Sequence, residues 1–370
     1  MHNLSHESGN HISDNSLSGN YRHDRQIALW LMLCAGVIFA MILLGGVTRL
    51  THSGLSMVEW KPLMGIIPPL TDADWQTTFE KYQQFPEYQK VNKGMSVGEF
   101  KSIFMFEYLH RVLGRLIGII FLLPFLFFYF TRRIQPGLTP KLIVMFILGG
   151  LQGLLGWYMV KSGLVDNPRV SQYRLTAHLG AAVVIYAYIL WVCFGLLSVN
   201  SSSTSDKTGL KRFAYTLSGL LFLMILSGGL VAGTRAGFAY PTFPLMGDSF
   251  FPPGLFNTDP AWLAIFEDIT TIQFNHRIFA YVLFALILSF SFKILRSGIP
   301  GKLRTGTHCL MALLLIQVTL GISTLLLHVP VTLAAAHQGG AIALFTASLF
   351  VSRCLSRNTA GAEPTTRTST

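Results

Sequence analysis

Eight stretches of this chain, at about 27–48, 107–131, 141–161, 174–199, 212–233, 272–294, 306–328 and 331–352, are each long and apolar enough to cross a lipid bilayer. A spanning helix needs about 20 mostly apolar residues, because every backbone polar group must be satisfied within the segment. Of 370 residues, 51% are hydrophobic and 12% charged, a balance that water-soluble domains do not show. The expected fold class is an all-α integral membrane protein. An even number of crossings returns both termini to one side.

Basic residues indicate which side. Lys and Arg are retained on the cytoplasmic face. Arg132, Arg133 and Lys141 follow the second run, Lys207, Lys211 and Arg212 the fourth, and Lys293, Arg296, Lys302 and Arg304 the sixth. Arg22, Arg25, Arg353 and Arg357 flank the ends in the same sense. Both termini are therefore expected in the cytoplasm. Lys61, Lys81, Lys90, Lys93 and Lys101, with Lys161, Arg169 and Arg174, run against the trend in the opposite connections, where charge constrains orientation weakly in long loops. The net charge of +11 is spread over loops and tails, without the clustered basic and aromatic surface that nucleic acid requires. The first 21 residues are polar and carry Glu7 and Asp14 but no Lys or Arg, unlike a signal or transit peptide. They read as a solvated tail, His2, His6, His11 and His23 included. Cys34, Cys193, Cys309 and Cys354 fall within or at the inner ends of apolar runs and read as small packing residues.

The chain repeats itself. "LGGVTRLTHSGLSMVEWKPLMGIIPP" after the first run returns as "SGGLVAGTRAGFAYPTFPLMGDSFFPP" after the fifth, and "LQGLLGWYMV" in the third answers "IQVTLGISTLL" in the seventh. Four crossings separate the copies, so the second has the orientation of the first: two parallel-repeat four-helix bundles about an axis along the membrane normal. The expected division is a disordered cytoplasmic tail over 1–24, halves over 25–200 and 201–355, and a second disordered tail over 356–370. The long connections at about 49–106 and 234–271 carry Trp60, Trp75, Phe243, Phe250 and Phe251. These aromatics suit a lid over a ligand and an interfacial belt equally.

Four histidines share the repeat. "FEYLHRVLGRLIG" around His110 returns as "IQFNHRIFAYVL" around His276, and "LTAHLGAAVVIY" around His178 as "LAAAHQGGAIALF" around His337. All four are expected within about two turns of one helix end, hence at one depth. Ionisable or ligating groups in spanning helices are costly and point to function. Haem iron takes imidazoles as axial ligands, and Gly114, Gly118, Gly180, Ala181, Gly339, Gly340 and Ala341 leave room for a flat macrocycle or for close helix packing. Zinc is disfavoured, since no cysteine or second carboxylate stands by each pair. One ligand per helix at one depth places two haems side by side and excludes a wire across the bilayer.

Glu107 breaks the symmetry. It lies three residues before His110 and on the same helical face, whereas Gln273 stands before His276. A carboxylate at a helix start is stabilised by the helix dipole; the alternative is an acid-base or charge-stabilising group beside one site only. Arg111 and Arg277 follow the histidines, and His52 and Arg235 match in the loops; all four are candidate contacts for haem propionates. His308 and His328 have no counterparts and read as interfacial.

With "GGVTRLTHSGLS", "EYLHRVLGRLIG", "TAHLGA", "GGLVAGTRAG", "PLMGD", "NHRIFAY" and "HQGGA", residues 25–355 resemble the haem A synthase family, in the branch shared by alpha-proteobacteria and mitochondria. The resemblance implies oxidation of the C8 methyl of haem O to a formyl group, producing haem A for terminal oxidases in a bacterial inner membrane, with the sites toward the periplasm. It implies His276 and His337 as axial ligands of a resident haem b, His110 and His178 as ligands of the substrate haem, and Glu107 as the essential carboxylate. The outer-loop cysteine pair of another branch is absent.

Two other classes are consistent with parts of the pattern. A membrane dihaem cytochrome b uses the same ligands without substrate chemistry; a transporter needs midplane polar sites or broken helices, and the histidines lie too near one face. Haem O synthase, the protohaem farnesyltransferase, is a partner by pathway logic, and homo-oligomerisation is left open.

Overall fold

The computed structural model describes residues 8–59, 67–163, 170–197, 208–299 and 301–356. Helix α1 (Ser8–Leu50) leads into a connection carrying α2 (Asp72–Gln83) and α3 (Pro86–Lys90), followed by α4 (Val97–Phe130), α5 (Thr139–Gly163) and α6 (Gln172–Leu196). Then come α7 (Thr208–Thr234), a connection with 3-10 turns at Ala236–Phe238 and Ala261–Leu263 and the short α8 (Ala264–Glu267), and finally α9 (Ile269–Arg296), α10 (Lys302–Leu326) and α11 (Val331–Leu355). Among the described residues, eight helices are long and apolar enough to cross a membrane: α1, α4, α5, α6, α7, α9, α10 and α11. The chain is an all-α multi-pass membrane protein. The start of α1 and the end of α11 lie at one end of the bundle, and the two long connections at the other, the loop end.

Two boundaries differ from the expectation. Helix α1 begins at Ser8, inside the stretch expected as a disordered tail, since each residue added to an existing helix gains a hydrogen bond; residues 1–7, with His2 and His6, and residues 357–370 lie outside the described residues. Helix α4 begins at Val97, ten residues before the expected start. Its start is a capping box: Glu99 N–H donates to Ser96 Oγ and Ser96 N–H to Glu99 Oε2. Glu107 therefore lies beyond the first turn, and the helix dipole does not account for its placement.

Within the first half α1 packs on α4 and α6, and α5 bridges α4 to α6; within the second, α7 packs on α9 and α11, and α10 bridges α9 to α11. The halves join through α6 on α7, α1 on α11 and α6 on α11. Half of the apolar window of α6 is buried against protein, and only 6% of that of α5, so the bridging helices present Leu, Ile and Phe side chains to lipid. Toward the termini the bundle is tightly packed: Leu31, Cys193, Leu217, Ile287, Phe290 and Leu310 are each at most 1% exposed. Ser218 Oγ pairs with Ser348 Oγ at 2.7 Å and Ser352 Oγ at 3.0 Å, and Tyr186 Oη with Thr346 Oγ1 at 2.8 Å, interhelical bonds worth about 0.6–2 kcal/mol each in lipid. Toward the loop end the helices separate around a cavity.

The first connection builds its own aromatic core. Phe79 and Tyr82 of α2 pack with Phe100 and Phe104 of α4, and Trp75 meets Phe104 edge-on with centroids 5.1 Å apart. Trp75 thus serves the connection's packing, whereas Phe243 of the second connection lines the cavity. Phe250 stacks on Tyr281 and Phe251 packs on Phe274; Trp60 lies outside the described residues.

Candidate functional site

One cavity of about 1490 Å³ runs across both halves and is lined by His110, His178, His276 and His337 together. His110 and His178 lie within electrostatic reach of each other, as do His276 and His337. Each of these two couplings lies within one half of the repeat.

Each ring lies against a glycine of the helix that precedes its own. A Cβ placed on Gly45 of α1 would stand 3.1 Å from Cε1 of His110; on Gly156 of α5, 2.9 Å from His178; on Gly228 of α7, 3.6 Å from His276; on Gly321 of α10, 2.8 Å from His337. Four helix-to-helix steps repeat one device, a bare backbone that the Cε1 edge of an imidazole approaches. The glycines singled out in the sequence, as room for a macrocycle or for close helix packing, are different ones. Gly114 and Gly118 do line the cavity, but Gly180 faces Leu226 and Gly339 faces Leu43. Those two bring the halves together, the close-packing alternative for small residues.

Glu107 is 3% exposed. Its Oε2 accepts from Ser56 N at 2.7 Å, Ser56 Oγ at 2.8 Å and Met57 N at 2.8 Å, and its Oε1 pairs with Arg111 one turn on. Arg111 also donates to Met57 O at 2.8 Å and Glu59 O at 3.4 Å. The second half has the same clamp in neutral form. Gln273 Oε1 accepts from Tyr240 N at 3.1 Å and its Nε2 donates to Tyr240 O at 3.2 Å, while Arg277 donates to Tyr240 O, Thr242 O and Leu245 O. In each half this pair fastens the long connection to the helix that carries the histidine. Arg111 and Arg277 line the cavity, but the hydrogen bonds described for them run to the connection and to Glu107. The charge of Glu107 is what distinguishes the two clamps.

Arg49, His52, Glu87 and Arg235 also line the cavity, where residues of the two halves meet. Arg235 Nη2 is 3.1 Å from His52 Nδ1, and Arg49 Nη2 donates to Gly233 O at 3.0 Å. Burial, then Arg235 and Arg49, hold the His52 pKa below the usual imidazole range. Glu87, on α3, is 5% exposed with Oε2 unpartnered among the described residues; burial pushes its pKa up to about 7, against the attraction of Arg49 and Arg235 and with the repulsion of Glu107. Glu87 and Arg49 were not singled out in the sequence: Glu87 lies outside the quoted repeat, and Arg49, inside it, stands opposite Ala232 in the second copy. His308 and His328 are exposed and outside the cavity.

Residues 28–349 match the family model described as cytochrome oxidase assembly protein, COX15-CtaA. Proteins named Heme A synthase match over nearly the whole chain: that of Nitrosomonas eutropha is 53% identical over 345 residues, 92% of this chain and 97% of its own. The chain belongs to the haem A synthase family. The protein of Nitrosospira multiformis is 54% identical over 335 residues, covering 90% of this chain and 94% of its own, and that of Paramagnetospirillum magneticum 48% over 337 residues with the same coverage. A haem A synthase family member should hold porphyrin, and the donor set here fits one. Among the described residues no three His, Cys, Asp or Glu side chains converge as a bare metal ion would require; imidazoles come in twos, as the two axial positions of a haem need. Among the described residues the buried Nδ1 atoms of His110 and His178 have no hydrogen-bond partner, and the cavity, about 1490 Å³, is larger than the roughly 300–1,000 Å³ of a single small-molecule pocket.

Proposed function

We propose that this chain oxidises the C8 methyl of haem O to the formyl group of haem A, an oxidoreductase step in the supply of haem A for terminal oxidases. The carrying observation is the unequal pair of clamps: two bis-histidine sites open on one cavity, and only the first has a buried carboxylate beside it. His110 and His178 hold the substrate haem in this reading, and His276 and His337 hold a resident haem b. When bound, that haem supplies one-electron redox chemistry next to the substrate.

The first oxidation adds water to the methyl carbon and gives an alcohol with loss of two electrons and two protons; the second gives a hydrate in the same way, which loses water to leave the aldehyde. The electrons pass to an acceptor. Positive charge that develops at the carbon is stabilised by Glu107, fixed by Ser56, Met57 and Arg111 so that no reorganisation is needed. The same carboxylate is placed to take up a proton as water adds. Arg235 and Arg49 offer cationic donors for propionates at the junction of the halves, with His52 beside them as a neutral hydrogen-bonding group. In this reading the protein sits in a bacterial inner membrane with the described inner ends facing the cytoplasm and the cavity toward the periplasm, an orientation that the distribution of Lys and Arg supports.

Glu107→Gln tests this reading. The amide oxygen can still accept from Ser56 and Met57, and Gln273 shows that a glutamine serves such a clamp; Arg111 keeps the Met57 and Glu59 carbonyls. The variant, expressed in a strain lacking the native enzyme, should bind haem and yield no haem A when extracted haem is separated by chromatography. Normal haem A output would reject the assignment, and haem b alone in the unaltered protein would favour a dihaem cytochrome.

A further inference from the structure

The two sites differ at a second place. Among the described residues the buried Nδ1 atoms of His110 and His178 have no hydrogen-bond partner, but Nδ1 of His276 lies 3.0 Å from Ser227 Oγ. Ser227 immediately precedes Gly228, the glycine under the His276 ring; in the first half the glycine under His110 is Gly45, and the residue before it is Leu44. The repeat therefore aligns a hydroxyl in one half with an isobutyl group in the other, on the same turn of equivalent helices.

We propose that Ser227 is a positioning residue that makes the second-half site the permanent haem site. This rests on the reading above, in which His276 and His337 hold the resident haem. Iron ligation through Nε2 requires the ring proton on Nδ1. With iron at Nε2, Ser227 Oγ accepts the Nδ1 proton, which fixes the ring plane and increases the electron density available at Nε2. His110 has its glycine support without this acceptor, so its ring is ordered by packing alone. That suits a ligand to a molecule that must arrive as substrate and leave as product. The difference is one of affinity and orientation between sites of otherwise matched construction.

The test uses the purified full-length chain, loaded as it is isolated, with Ser227→Ala and Ser227→Thr. Haem b per chain, the electron paramagnetic resonance signature of the low-spin centre and its midpoint potential are measured. Ser227→Ala should weaken haem b retention by about 10- to 100-fold, the usual cost of losing an outer hydrogen-bond partner, and raise the potential, since a less electron-rich imidazole stabilises ferric iron less. Ser227→Thr, which keeps the hydroxyl, should restore both. Wild-type retention and potential in Ser227→Ala overturn the proposal, as does a Thr variant as impaired as Ala. His276→Ala, run alongside, separates this from the underlying reading: an unchanged haem b spectrum there moves the resident haem to other ligands, whereas a lost spectrum with a silent Ser227→Ala defeats the role of Ser227 alone.

Discussion

His52 and Arg235 occupy the same place in the two repeats, both hold left-handed backbone with φ of 56° and 62°, and they meet across the repeat axis with Arg235 Nη2 3.1 Å from His52 Nδ1. Each ends a spanning helix by turning the chain into the long connection that follows. Left-handed backbone is costly for residues with a Cβ and free for glycine, so a side chain has been kept where glycine would fold more easily. That arrangement is the mark of a functional group held at a strained position.

His52→Gly and Arg235→Gly therefore isolate the side chain from the turn. Both variants should accumulate and melt at or slightly above the wild-type temperature. Arg235→Gly should lose haem during purification, at a cost of about 1.5–3 kcal/mol, the worth of a hydrogen bond to a charged group. Haem content per chain after detergent extraction measures this; undiminished content would assign the pair to joining the halves and not to propionates.

The glycines beneath the rings form a graded series. A Cβ on Gly228 would meet His276 at an ordinary contact distance of 3.6 Å, one on Gly45 would meet His110 at 3.1 Å, and those on Gly156 and Gly321 would stand inside 3.0 Å of His178 and His337. Alanine at Gly228 should be nearly silent. At Gly45 it should reduce haem binding in part, and at Gly156 and Gly321 it should displace the ring and abolish low-spin ligation in its own half. Optical spectra of the four purified variants test the order, and equal effects at all four positions would refute ring support as the glycines' role.

Much of this architecture was legible in the chain because lipid imposes simple rules. The eight spans, the parallel repeat and the histidine pairs follow from run length and self-similarity, and Glu107 against Gln273 stands out once the copies are aligned. Helix α4 was misjudged by ten residues because its start lies beyond the apolar run, where a capping box at Ser96 and Glu99 sets the boundary. Glu107 lost its expected dipole support for the same reason and gained partners, Ser56 and Met57, more than 45 positions away in sequence. Glu87 carries no repeat or motif signal, and Arg49, though inside the repeated segment, has Ala232 as its counterpart; their convergence with Arg235 arises only when the first connection folds over the junction of the halves. Gly45 and Gly228 were visible as a repeated doublet, but nothing in a single sequence says which ring a glycine faces.

The clamp on the second connection predicts a charge effect opposite to that of the first. Gln273 both accepts from Tyr240 N and donates to Tyr240 O. Gln273→Glu would set a second acceptor against that carbonyl in a buried place, an unsatisfied arrangement costing about 1–3 kcal/mol. The variant should melt lower than the wild type and lose protection from proteolysis within 236–263, while keeping haem bound in the first half. A glutamate tolerated there without change would show that the clamp is not specific for an amide.

Glu87 gives the chain a pH dependence whose sign is fixed. Its pKa is about 7 in the fold against 4.5 for the free side chain, chiefly through burial. Between those values the folded protein holds a proton that the unfolded chain has released. The stability associated with the protonated carboxyl is therefore complete below 4.5 and is lost as pH rises through about 7. Above that, a buried carboxylate faces Glu107 with Arg49 and Arg235 as its counter-charges. Glu87→Gln cannot ionise. Relative to the wild type, its melting temperature in detergent should rise steadily from about pH 5 to about pH 8, since only the wild type acquires the buried charge over that window. A difference between the two proteins that stays constant over this range would place the Glu87 carboxyl in a solvated setting and remove it from the group that borders the cavity.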